Sequence, residues 1–221
     1  MSGILGVLLG DNAAAAGGGS PAYVYRGDSG DLGASSPATF SGVSLGTASA
    51  DRFVVVCLIG FAAGATYGTT LTVDGSVTLN RDVFYNAAGS LRAEAFYSGV
   101  VSSGSGTHTI AATTSGESDF VMHVWTMTGA SFAFRHSASS TDTAHPTTIS
   151  VTAGDFMFGG FTAANADHAW NTGSTQASFA DHPDSTFGGF IGSDWTISAT
   201  NASFNIVPNS NSNGFTAATY S

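Results

Sequence analysis

Apolar and polar positions alternate with period two along most of this 221-residue chain, and that period predicts strands rather than helices. Two stretches depart from it. "FVVVCLIGF" (Phe53–Phe61) is apolar throughout, and "SDFVMHVWTMTG" (Ser118–Gly129) is nearly so. A strand covered on both faces reads this way. Three consecutive β-branched residues, Val54 to Val56, with Gly60 and Gly64 close by, argue against a helix. In the second stretch the alternation puts Val121, His123 and Trp125 on one face and Met122 and Val124 on the other. The predicted core therefore draws on Val54, Val56, Leu58, Val121, Val124 and Trp125.

The remaining segments are thinner. "TTLTVDGSVTLN" (Thr69–Asn80) reads as a hairpin turned at Asp-Gly. "LRAEAFYSGV" (Leu91–Val100) and "GTHTIAATT" (Gly106–Thr114) alternate. So do Thr147–Ala153, Asp155–Ala163, Thr186–Gly192, Ala202–Pro208 and Gly214–Ser221. "FGGF" occurs at Phe158–Phe161 and again at Phe187–Phe190; two similar strands are one reading of this local echo, which is too short to count as a repeat. Turn signals recur about every 8–15 residues, and no amphipathic helix is visible, so the expectation is an all-β antiparallel β-sandwich or jelly roll.

The N-terminus is different. Ile4, Leu5, Val7, Leu8 and Leu9 are apolar, and Ala13–Ser20 is an Ala/Gly run. A secretory signal needs a basic n-region, and residues 1–20 hold no Lys or Arg. A membrane span needs about 20 apolar residues, and this run stops at Gly10. Two readings stand: an extended docking arm on a tether (1–20, ahead of a β-domain at 21–221), or an edge strand of the chain's own sheet. Burying five aliphatic side chains contributes roughly 1.5–3 kcal/mol each. Ordering about ten residues costs on the order of 10–20 kcal/mol. Such an arm needs backbone partners as well, for example strand addition to another subunit.

Charge narrows the partners. Only 9% of residues are charged, against about 25% in ordinary domains. Five Arg, no Lys and fifteen acids give −10, which disfavours nucleic acid and anionic membrane. Cys57 stands alone, so no intrachain disulfide forms. It reads as a small core hydrophobe.

In order, "DRFVVVCLIGF", "LTVDGSVTLNRDVFYN", "SLRAEAFYSGVV", "GTHTIAATT" and "DFVMHVWTMTGA" resemble β-sandwich modules of tailed-phage and prophage virions. The resemblance covers roughly residues 45–165. It implies an outer decoration, head-fibre or tail-fibre subunit on the virion surface. Its implied partners are capsid or tail proteins and other copies of itself.

Candidate chemistry is sparse. Asp167/His168 and Asp181/His182 would make a two-His, two-Asp metal site if their loops met. Loop polarity is the plainer explanation. His123 reads as a hydrogen-bonded core or inter-sheet residue rather than a metal ligand. "GDSGDLG" (Gly27–Gly33) has acid spacing suggestive of Ca²⁺ but lacks the closing Glu of an EF-hand. "RGD" (Arg26–Asp28) is short enough to arise by chance. There is no GxSxG elbow, and only two Glu are present. The expectation is no enzyme, no cofactor, no required metal and no membrane insertion. Trp170 and Trp195 sit among turn residues, where two readings stand: they stack on sugars, as the glycan-binding rings of an alternative adhesin reading, or they cap the ends of the sandwich core.

Overall fold

The two strongly apolar stretches form the centre of the fold. In the computed structural model they are β3 (Phe53–Ala62) and β8 (Glu117–Thr128), paired antiparallel with Cys57 opposite His123. The structure describes residues 20–33, 36–62, 70–86, 92–114, 117–140, 147–163, 177–183, 190–206 and 212–221. The candidate arm (Ile4, Leu5, Val7, Leu8, Leu9) and its tether up to Gly19 lie outside these residues.

Every ladder among the described residues is antiparallel, and no helix occurs among them. The first sheet adds β1 (Ala22–Asp28), β2 (Ala38–Ser44), β4 (Leu71–Val73), β5 (Val77–Asn86), β6 (Arg92–Val100) and β7 (Thr107–Ala112). Its order is β1-β8-β3-β6-β5-β4-β7-β2. The expected Asp-Gly hairpin joins β4 to β5. Asp74 and Gly75 both take positive φ there, 51° and 64°, as a tight hairpin turn requires.

This sheet curls on itself into a nearly closed barrel. Val54, Val56 and Leu58 of β3 meet Met122 and Val124 of β8, Leu71 of β4, Ile110 of β7 and Ala38 of β2 in one buried cluster. Residues from across one sheet share a core only if its two ends approach. Arg26 of β1 helps close that seam. Its Nε donates to Thr126 Oγ1 at 2.6 Å, and its guanidinium lies against Gly46, just beyond β2. Arg52 is fully buried at the mouth of the barrel and donates to the carbonyls of Gly46, Val101 and Ser103.

The alternate residues of β3 and β8 point the other way. Val55, Cys57, Ile59, Val121 and Trp125 meet Phe156, Phe158, Phe190, Ala218 and Tyr220. The latter belong to a second sheet made of β9 (Phe134–Ser140), β11 (Phe156–Ala163), β12 (Ala177–Pro183), β13 (Phe190–Ile197) and β15 (Ser212–Tyr220). Its order is β12-β13-β11-β15-β9. Its far face carries Met157, Ile191, Trp195 and Ala217. A two-stranded sheet of β10 (Thr147–Val151) and β14 (Asn201–Ile206) covers that face with Ile149, Val151 and Phe204. The expected two-sheet packing is thus present at its centre. The curl of the first sheet and the third layer are additions that tertiary structure makes.

All six predicted core residues are fully buried. Four strands escaped the sequence reading: β1, β2, β9 and β12. The first "FGGF" lies in β11, and the second contributes only Phe190 to the described part of β13, which pairs beside it. Close approach of the two sheets explains Gly160. A Cβ there would overlap the Cys57 sulfur and come within 3.1 Å of Ile59 Cδ1. Overpacking of this kind costs about 1–3 kcal/mol. Gly160→Val should therefore reduce the unfolding free energy by that amount, seen as a lower urea midpoint at an unchanged m-value.

Candidate functional site

Among the described residues, a dense group of titratable side chains lies where the two large sheets meet beside their edge strands β1 and β12. β1 pairs with β8, which sets Tyr23 opposite Met127 and Tyr25 opposite Trp125. β12 pairs with β13, which sets Asp181 opposite Ser193 and Ala180 opposite Asp194. Period two then aims Tyr23, Tyr25, His123 and Trp125 at the second sheet and Asp194 back at the first.

Asp194 is 2% exposed, and its carboxylate accepts three hydrogen bonds. Tyr23 O–H donates to Oδ1 at 2.7 Å, Trp125 Nε1–H to Oδ2 at 2.8 Å, and His182 Nε2–H to Oδ2 at 2.6 Å. A carboxylate offers about four acceptor sites, so most of its capacity is filled within the chain. Tyr23 and Trp125 come from the first sheet and His182 from the second. One buried anion therefore fastens both sheets.

A second link runs through His123, which is fully buried. Its Nε2 lies 3.0 Å from the Phe190 carbonyl oxygen. A carbonyl only accepts, so Nε2 carries the hydrogen. When the ring is neutral, Nδ1 then accepts from Tyr25 O–H at 2.9 Å. The Tyr25 ring also stacks on His182, with centroids 3.7 Å apart and planes 12° from parallel. Gly192 leaves room for the imidazole, since a Cβ there would sit 2.6 Å from His123 Cγ.

Two more carboxylates bond across the same interface. Glu94 Oε2 accepts from Thr216 Oγ1 at 3.0 Å, and Asp82 Oδ2 accepts from Tyr220 O–H at 2.9 Å. Burial raises the Asp82 carboxyl above its ordinary value, against the hydrogen bonds from Ser98 and Tyr220. Burial, reinforced by the Asp194 carboxylate, pushes the Tyr23 phenol from 10.0 up to about 12. Burial likewise raises Tyr97 and Tyr220, the latter with help from the Asp82 charge. Cys57 is buried at this layer, and burial followed by the Glu94 charge raises its thiol well above the ordinary value.

The sequence-derived candidates fall as follows. His123 occupies the expected inter-sheet position. His182 lies on strand β12, not on a loop. Neighbouring strand residues point to opposite faces. Asp181 accepts from Ser193 Oγ while His182 turns to Asp194, so the pair does not converge on one ion. Asp167, His168 and Trp170 lie outside the described residues. Among the described residues no group of three or more His, Cys, Asp or Glu is placed to hold a metal. Trp195 corrects the glycan expectation: it lies in β13, fully buried in the third core cluster, and offers no face to a sugar. In "GDSGDLG", Asp28 Oδ1 accepts from Gly30 N–H at 2.9 Å and Asp31 Oδ1 from Gly33 N–H at 2.7 Å. Both carboxylates thus shape turns. "RGD" belongs to β1 and its bulge, with Arg26 turned toward Thr126 and Gly46. Asp194, Tyr23 and Tyr25 were not singled out from sequence. "AYVYRG" carried their alternation, but the partner strands lie about a hundred or more residues away.

No protein family, curated protein or solved structure matches the chain.

Two outcomes follow. Asp194→Asn keeps the shape but turns an N–H₂ toward buried donors, which costs about 1–3 kcal/mol. Urea denaturation should show that loss with native near-UV circular dichroism retained. The second concerns pH. The unfolded tyrosine ionises near 10.0, before the folded Tyr23 at about 12. Between those values the unfolded state holds fewer protons, so stability falls as pH rises. Thermal melts should show a decline from pH 10 to 12 that is shallower in Tyr23→Phe.

Proposed function

We propose that this chain is a structural β-protein, and more particularly an outer decoration or fibre subunit of a phage virion that docks through residues 1–20. The observation that carries the reading is the use made of its chemical groups. Asp194, His182, His123, Tyr23 and Tyr25 are the residues from which a catalytic or binding site would be built. They bond to one another and fasten two sheets.

Other features support the same reading. A surface wetted by Ser, Thr and Gly, with net charge −10 and no Lys, suits a particle exterior that resists indiscriminate adhesion. The all-β, antiparallel architecture supports the resemblance to such modules over residues 45–165. The apolar run Ile4–Leu9, joined by an Ala/Gly tether, supplies an attachment segment separate from the β-domain.

Immunogold labelling of phage particles released by the bacterium that encodes the chain should decorate their outer surface. Recovery of the protein only from the soluble cell fraction would refute the virion reading. A Leu5→Asp/Leu8→Asp variant should keep its stability within about 0.5 kcal/mol, as substitutions outside a core do, and should be missing from the particles. A large loss of stability would place the segment in the domain's own core.

A further inference from the structure

One apolar cleft stays open at the end of the inter-sheet layer. It measures about 200 Å³ and is lined chiefly by Ala50, Phe53, Val100, Ala130 and Phe132. That is below the roughly 300–1,000 Å³ of small-molecule sites, and it suits one or two aliphatic side chains. Val100 stands directly opposite Phe53 in the β3–β6 ladder, yet it is 52% exposed. Phe132 packs at 6.1 Å from the Phe53 ring and is only partly buried. Asp51, also at the cleft, accepts the Gly129 N–H at 2.9 Å; the Ser49 hydroxyl first, and then that N–H, hold its carboxyl below the ordinary value.

The cleft lies where the N-terminal segment leaves the domain. Ala22 pairs with Thr128, and the two strands are antiparallel. Residues preceding Ala22 therefore head the same way as Gly129, Ala130 and Phe132, which follow Thr128. Nineteen residues precede the described part of the chain. Ile4–Leu9 is uncharged and aliphatic apart from Gly6. The twelve residues Gly10–Pro21 span at most about 40 Å when extended, enough to cross to a neighbouring molecule.

We infer that this cleft receives the Ile4–Leu9 segment of a second copy, in a reciprocal two-fold exchange. This rests on reading the segment as an assembly arm. An arm and its receptor at the same end of a molecule can close into a two-fold dimer, whereas opposite ends would generate a ring or an open chain. The cleft is too small for five aliphatic side chains, so one arm folded back on its own domain leaves most of them in water and its backbone unpaired. Two arms crossing at a two-fold axis run antiparallel and supply each other with strand hydrogen bonds.

The full-length chain should sediment as a dimer. Val100→Asp puts a charge in the cleft at a half-exposed position and should weaken the dimer about tenfold or more, with an unchanged melting temperature when both proteins are melted at concentrations where they are monomeric. Leu5→Asp/Leu8→Asp should do the same. In a Leu8→Cys/Val100→Cys variant, mild oxidation should give a disulfide-linked dimer on a non-reducing gel, with Cys57 buried and inert. An intrachain bond alone, no bond, or a dimer indifferent to Val100→Asp would overturn the inference. If the arm variant dissociates while Val100→Asp does not, the arm reading stands and the cleft is wrong. If neither variant changes the assembly, or the wild-type chain is a monomer, the arm reading falls in this role too.

Discussion

The centre of the first sheet has no face that can meet water. β3 and β8 carry apolar side chains on both sides, so curling the sheet solves only half of the problem. Val54, Val56 and Leu58 are buried inside the curl, while Val55, Cys57 and Ile59 face outward. The second sheet is the answer to that outward face. Its own β11 and β13 then repeat the difficulty with Met157, Ile191 and Trp195, which β10 and β14 cover. Each layer makes the next one necessary, and the order follows from the hydrophobic effect acting on two-faced strands.

Apolar layers alone would allow the sheets to slide. The polar contacts at the interface restrict this. Asp194 reaches Tyr23 and Trp125, His123 reaches the Phe190 carbonyl, Glu94 reaches Thr216, and Asp82 reaches Tyr220. A buried carboxylate is costly unless it is hydrogen-bonded, so a shifted packing that broke these bonds would be penalised at several points together. The contacts lie toward both edges as well as the middle of the layer, where they set the relative placement of the sheets. Glycines complete the fit by letting the backbone approach Cys57 at Gly160 and His123 at Gly192.

The same arrangement bears on function. A histidine beside an aspartate invites a catalytic interpretation, but a general base must be able to reach a substrate proton. Here Asp194 is enclosed, and the exposed edge of His182 is covered on one face by Tyr25. Among the described residues these groups bond to one another and join the two sheets.

Fold class, the two central strands, their division into faces and the Asp-Gly hairpin were legible in the amino-acid sequence, because each depends on residues within a few positions of one another. His123 was legible as an inter-sheet residue for the same reason, since its place in the β8 alternation is local. The polar clasp was not legible. Tyr23, Trp125, His182 and Asp194 are far apart along the chain, and β12 resembles a loop because Asp, His and Pro lie together in it. Trp195 misled in the same way: Gly192, Ser193 and Asp194 look like a turn, while pairing with β11 and β12 makes them strand. Local pattern determined which segments become strands and which side chains share a face. Only the tertiary structure decided which faces meet, because that depends on long-range pairing and on burying each polar group beside a partner.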